Sequence, residues 1–207
     1  MKFIGITGGV GAGKSALLAH LEKKPGTRVL VADEIAHDLM EPGTECYEHI
    51  RQAFGEEDIF LPEGGLDRAK LAEVIFSDPT KRERMNAIVH PAVREYILGT
   101  AQREREHGKL RLLVLEAALL IEEHYDEICD ELWYIYTREE LRRERLMRER
   151  GYSPEKVRAI FASQIDEDTY RSHCVRVIDN NGTVEDALRT VDQIWKSLMD
   201  EGDGTDE

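Results

Sequence analysis

The segment Gly8-Gly9-Val10-Gly11-Ala12-Gly13-Lys14-Ser15 places glycines, a lysine and a hydroxyl at the spacing GxxxxGK[ST]. Glycines at these positions let successive backbone N–H groups turn inward around phosphate oxygens without Cβ clashes. A helix opening after them adds its N-terminal dipole to the same anion site. Lys14 would then reach the β- and γ-phosphates, and the Ser15 hydroxyl would ligate Mg²⁺. The residues expected around the phosphates are Gly9, Val10, Gly11, Ala12, Gly13, Lys14, Ser15 and Ala16. The motif points to a nucleoside triphosphate and leaves open what is done with it.

Other residues could complete a phosphoryl transfer. Asp33 directly follows an apolar β-branched run, Arg28-Val29-Leu30-Val31-Ala32. In a doubly wound sheet the carboxyl ends of the strands line the ligand crevice. Asp33 is therefore either a general base for an accepting hydroxyl or the N-cap of a helix beginning at Glu34. Glu116, closing the apolar run Leu110–Leu115, either supports Mg²⁺ through water or caps the next helix. Seven arginines (Arg138, Arg142, Arg143, Arg145, Arg148, Arg150 and Arg158) crowd one stretch, and Arg138, Arg142 and Arg145 share a helical stripe. Arginine grips phosphate through two parallel hydrogen bonds. One or two of the seven are expected to face the nucleotide, and the rest to form a solvated face with Glu139, Glu140, Glu144 and Glu149. His90-Pro91 is expected to end one helix and start another, since proline suits a first helical turn.

The elements that must hold these residues follow from the pattern of apolar residues. Phe3–Thr7, Arg28–Ala32, Leu110–Leu115, Leu132–Tyr136 and Val175–Ile178 read as five strands. Helical spacing occupies Ser15–Lys24, a stretch from Glu34, most of 44–108, Arg138–Arg150, Pro154–Ile165 and Thr183–Met199. Alternating strands and helices imply a parallel sheet with helices on both faces, an α/β three-layer architecture. Residues 1–43, 109–137 and 173–199 would form the nucleotide-binding core, with a helical insertion at 44–108, lid helices at 138–172, and a disordered acidic tail at 200–207.

Composition limits the alternatives. With 28 basic and 42 acidic residues among 207, the chain carries a formal charge of −14, which repels nucleic acid and argues against binding to it. The apolar fraction of 41% is enough for a full core. No stretch approaches the ~20 apolar residues of a membrane span, and the N-terminus lacks a signal peptide's apolar core. Cys46, Cys129 and Cys174 are odd in number and far apart, which suits free thiols in a reducing, cytoplasmic setting. The acidic surface favours a soluble protein, here expected to be a monomer. A guanine-reading NKxD is absent, and the third strand ends in a single carboxylate rather than Asp-Glu, so a small kinase fits better than a GTPase or motor.

Taken together, the segments resemble the dephospho-coenzyme A kinase family. The resemblance runs from about Phe3 to about Ile194 and rests on Ile4–Ser15, Val31-Ala32-Asp33-Glu34-Ile35-Ala36, Phe54-Gly55, Leu66-Asp67-Arg68, His90-Pro91, Ala118-Leu119-Leu120-Ile121-Glu122, the helix pair ending at Gln164, and Val177-Ile178-Asp179-Asn180-Asn181-Gly182. It implies ATP and Mg²⁺ as cofactors and dephospho-coenzyme A as the partner, phosphorylated on its ribose 3′-hydroxyl. It implies a P-loop core, a helical acceptor-binding insertion and an arginine-bearing lid that closes over ATP and excludes water. Under it Lys14, Asp33, Arg145 and Arg148 become catalytic candidates, Asp33, Arg68 and His90 acceptor-site candidates, and Ser15 the metal ligand.

Several positions depart from the family pattern. Ala16 stands in place of threonine, Glu116 in place of aspartate, Ala118 in place of proline, and Val175 in place of aspartate. The lid arginine is not fixed by register, because Arg145, Arg148 and Arg150 lie close together. Asn180-Asn181-Gly182 is either an adenine contact or a plain turn. Two rival readings are a P-loop kinase for another small hydroxylated metabolite or nucleoside, and a non-catalytic ATP-binding regulator.

Overall fold

The computed structural model describes residues 1–202. The strands are β1 (Lys2–Thr7), β2 (Thr27–Val31), β3 (Leu112–Glu116), β4 (Glu131–Tyr136) and β5 (Arg176–Asp179). The helices are α1 (Lys14–Leu21), α2 (Ala32–Leu39), α3 (Glu45–Phe54), α4 (Arg68–Ser77), α5 (Pro79–His107), α6 (Glu139–Arg150), α7 (Pro154–Ala162), α8 (Glu167–His173) and α9 (Val184–Gly202). The five strands form one sheet in the order β2-β3-β1-β4-β5, and β1/β3, β1/β4 and β4/β5 pair in parallel. This is the five-stranded α/β sheet expected from the strand-and-helix alternation.

The chain divides into two compact units, Met1–Leu30 with Arg103–Glu207, and Val31–Gln102. In the first, alternate strand residues feed two opposite faces. Ile4, Ile6, Leu112, Val114, Trp133, Ile135 and Ile178 pack with Leu17, Leu18 and Leu21 of α1 and Ala187, Val191 and Met199 of α9. On the other face Leu120 and Leu132 close over Gly5, and Tyr134 stacks on Tyr170 of α8 with ring centroids 4.7 Å apart. A sheet buried on both sides explains why its central strands read as continuous apolar runs.

The second unit, Val31–Gln102, is mainly helical. Asp67 caps α4, accepting from the N–H groups of Ala69 and Lys70. Tyr47 of α3 packs edge-on against Phe60 and its hydroxyl accepts from Gly65 N–H.

Three sequence expectations change. His90-Pro91 does not separate two helices, because Pro91 lies inside the 29-residue α5, whose first residue is Pro79. An interior proline costs a helix about 3 kcal/mol. Met85, Val89, Val93 and Ile97 are buried at four-residue spacing through that point, each contributing roughly 1.5–3 kcal/mol, so the continuous stripe wins. Pro91 itself is exposed and disturbs no packing. Second, α8 adds a separate helix in a stretch to which no element was assigned, and Asp166 caps it by accepting from Thr169 N–H at 2.7 Å. Third, residues 200–202 of the expected disordered tail continue α9, and 203–207 lie outside the described residues. Among the described residues no helix is long and apolar enough to cross a membrane.

Ile4 is fully buried at the centre of the sheet. Truncating Ile4→Ala is expected to lower unfolding stability by about 2–5 kcal/mol with an unchanged denaturant slope, read by urea titration.

Candidate active site

The glycine-rich segment links the end of β1 to the first turn of α1. Gly13 at the head of α1 has φ 86°, and no acidic residue sits in the first turn of that helix. The helix N-terminus thus offers its N–H groups to an anion without an internal competitor. Gly13 is required twice over: its φ is left-handed, and a Cβ there would come within 2.5 Å of Asn180 Nδ2.

That asparagine braces the loop. Asn180 is buried, and its Nδ2 donates to the Ala12 carbonyl at 2.7 Å. The Thr137 hydroxyl, also buried, lies 3.1 Å from the same carbonyl and 3.3 Å from the Asn180 carbonyl. Arg145 of α6 donates to the Asn180 carbonyl at 3.1 Å and approaches the Ala12 carbonyl at 3.5 Å. One carbonyl of the phosphate loop is therefore gripped from the ends of β4 and β5 and from α6. Asn180 thus serves as a structural brace, which neither the adenine-contact nor the plain-turn alternative anticipated. Thr137 carried no sequence signal beyond following a strand.

At the other end of the loop, Lys14 Nζ donates to the Gly8 carbonyl at 2.8 Å and pairs with Glu116 Oε1 at 3.4 Å. Both partners of this ion pair are about 15% exposed, so water screens it only partly. Glu116 thus holds the lysine from the C-terminal end of β3. Ser15 is exposed, one residue into α1.

The arginine-rich helices separate as the charge pattern suggested. Arg143, Arg148 and Arg158 pair with Glu139, with Glu144 and Glu149, and with Glu155 on the solvent side. Such exposed pairs contribute at most about 1 kcal/mol each. Arg148, a catalytic candidate from sequence, is therefore not brought to the loop. Arg145 is, and so is Arg142, which sequence placed only on the shared stripe. The Arg142 guanidinium donates to Gln164 Oε1 at 2.9 Å and lies 4.6 Å over the Phe161 ring, alongside Gly9.

In the second unit, Asp33 is exposed in the first turn of α2, where an acidic residue suits the helix dipole. It is not an N-cap, because the helix starts at Ala32 and its cap position is Val31. Arg68, the first residue of α4, pairs with Glu41 at 2.9 Å. His90 lies half-buried in α5. Among the described residues no group of three His, Cys, Asp or Glu side chains could hold a metal ion. Magnesium bound with a nucleotide takes most of its ligands from phosphates and water, so an exposed Ser15 hydroxyl beside Lys14 fits it.

The cysteines lie outside this chemistry. Burial pushes the Cys129 and Cys174 thiols up to about 12, and also raises Cys46.

The sequence profile described as dephospho-CoA kinase matches residues 2–186. A Symbiobacterium thermophilum protein named dephospho-CoA kinase is 37% identical over 197 residues, covering 95% of this chain and 81% of its own length. A solved Thermus thermophilus structure superimposes with a TM-score of 0.77 at 31% identity, covering 95% of this chain and 97% of that one. The structure of a Campylobacter jejuni dephospho-CoA kinase, at 24% identity, shares the fold with a TM-score of 0.75, covering 98% and 100%.

Two measurements probe this geometry. Asn180→Leu removes the donor to the Ala12 carbonyl at similar volume; unfolding stability is expected to fall by about 1–3 kcal/mol, with ATP affinity down roughly tenfold in calorimetric titration. At pH 8 a thiol shifted to about 12 is ionised in only about one molecule in 10⁴, and iodoacetamide needs the thiolate. Alkylation of Cys129 and Cys174, followed by mass spectrometry, is therefore expected to be slow in the folded protein, to accelerate as pH rises towards 12, and to be rapid in urea.

Proposed function

The chain belongs to the dephospho-CoA kinase family, and we propose that it transfers the γ-phosphoryl group of ATP to the ribose 3′-hydroxyl of dephospho-coenzyme A, giving coenzyme A and ADP. The observation carrying this reading is a braced phosphate loop, with Lys14 held beside it by Glu116, in a chain matched to the family along residues 2–186. A regulator that only binds ATP needs no phosphoacceptor machinery. The family match favours dephospho-coenzyme A over another small hydroxylated acceptor.

The roles follow from the chemistry of each group. Gly9–Ala16 surround the triphosphate with backbone donors, and Lys14 exchanges its contacts with Glu116 and the Gly8 carbonyl for phosphate oxygens. Arg145 keeps the loop in shape and adds positive charge near it. Ser15 would hold Mg²⁺, which would supply positive charge to the phosphates. Asp33 orients the 3′-hydroxyl and accepts its proton as the new O–P bond forms. The bond from the γ-phosphorus to the β–γ bridging oxygen breaks, and ADP leaves. Arg68 and His90 bind the acceptor, with the Arg68 guanidinium passing from Glu41 to a substrate phosphate. Residues 44–108 form the acceptor-binding part and 138–172 the lid. Three free thiols suit the reducing cytosol, and the chain is taken to act as a monomer.

Coupled ADP-release assays with ATP, Mg²⁺ and alternative acceptors test the reading. Dephospho-coenzyme A is expected to drive turnover and to gain one phosphoryl group by mass, whereas shikimate, gluconate and nucleosides do not. Asp33→Asn is expected to retain ATP affinity while kcat falls by about 10²–10⁴, the usual contribution of a positioned base. A near-normal kcat would remove Asp33 from that role.

A further inference from the structure

Helix α4 carries more apolar surface than it buries. Leu71, Ala72, Val74, Ile75 and Phe76 crowd its second half, yet only Leu71 is buried. The run Val74-Ile75-Phe76 fans through roughly 200° of the helix, more than one packed face takes up. Phe76 is 83% exposed, the most exposed large apolar side chain among the described residues. It borders an open cavity of about 620 Å³, whose other lining residues are Glu73, Val74 and Ser77. A phenylalanine ring left in water forgoes the stabilisation that burial gives, so its place at a cavity calls for an occupant.

The same helix supplies a way to identify that occupant. It begins at Arg68, the residue assigned above to a phosphate of the acceptor. Phe76 lies eight residues on, about 12 Å along the axis and about 80° round it, so the two side chains share one broad face. Dephospho-coenzyme A continues from its diphosphate into an arm with a dimethyl-bearing carbon, two amides and a terminal thiol. Each extended amide unit spans at least about 3.5 Å, and with the groups flanking them the arm is comparable in length to the distance from Arg68 to Phe76. Its chemistry also matches the cavity. Methyl groups and sulfur pack against an aromatic ring. The Glu73 carboxylate is an acceptor for amide N–H groups, and the Ser77 hydroxyl, which donates to the Val74 carbonyl at 3.2 Å, retains its lone pairs.

We infer that Phe76, with Val74 beside it and Glu73 and Ser77 at the rim, forms a subsite for the amide-and-thiol arm of the acceptor, and that Phe76 sets the preference for an acceptor that carries this arm. The inference rests on the reading that dephospho-coenzyme A is the substrate. Arg68 holds the charged end of the molecule, and Phe76 covers the apolar end one helix length away.

Two acceptors separate this subsite from the rest of the acceptor site: dephospho-coenzyme A, and adenosine 5′-(methyl diphosphate), which keeps the ribose and diphosphate and lacks the arm. Because Phe76 is exposed, Phe76→Ala is expected to leave the melting temperature unchanged. It should raise the dephospho-coenzyme A KM about tenfold, the loss expected for an aromatic contact, and leave the KM of the methyl diphosphate within about twofold. Phe76→Leu, which keeps apolar area, is expected to recover most of the difference. An unchanged KM for dephospho-coenzyme A, or an equal rise for both acceptors, overturns the inference. Absence of dephospho-coenzyme A turnover in the wild type would instead overturn the substrate reading. Calorimetric titration of dephospho-coenzyme A into wild type and Phe76→Ala then decides the subsite by itself: about tenfold weaker binding to the variant upholds it, and equal or undetectable binding to both overturns it.

Discussion

The carbonyl of Ala12 is the point on which the site depends. A phosphate loop turns its N–H groups inward, so its carbonyls face the protein and need donors there. Ala12 is buried, and its carbonyl receives Asn180 Nδ2 and the Thr137 hydroxyl. Those residues follow β5 and β4, whose parallel registers with each other and with β1 fix where each strand ends. The loop's shape is therefore set by the sheet before any ligand binds. Pre-organisation of this kind spares the reaction the reordering of donors at the moment of transfer.

Electrostatics work against the protein's overall charge. A chain of net charge −14 must attract an anionic nucleotide, and it does so by concentrating cations at one loop. Lys14, Arg142 and Arg145 converge there, while Arg143, Arg148 and Arg158 are neutralised by glutamates on their own helices. The deciding factor is helical phase. Arg142 and Arg145 turn towards the loop, whereas Arg148, a further step round the helix, pairs with Glu144 and Glu149 in water.

The two carboxylates that the sequence placed after strands differ in character. Glu116 is largely shielded and holds the phosphate-loop lysine, so its charge serves the nucleotide side. Asp33 is exposed in the first turn of a helix, where its charge suits the helix dipole. Arg68 meanwhile keeps Glu41 as its partner.

The glycine-and-lysine spacing, the five apolar runs and the order of the family segments determined the fold class, the phosphate loop and the residues closing each strand. These features are local or periodic, and a strand buried on both faces or a loop with forced backbone angles leaves a mark in composition. The division of the arginines, the bracing of Ala12 by Asn180 and Thr137, and the passage of α5 through Pro91 were decided only in three dimensions. Each depends on partners far apart in the chain, Asn180 and Ala12 being 168 residues apart, or on a burial stripe whose sum outweighs one local preference. Arg142 was visible as a member of a stripe. Its place against Gly9 came from the way α6 and α7 pack on the loop, because contact between distant segments is set by packing and leaves no local pattern in sequence.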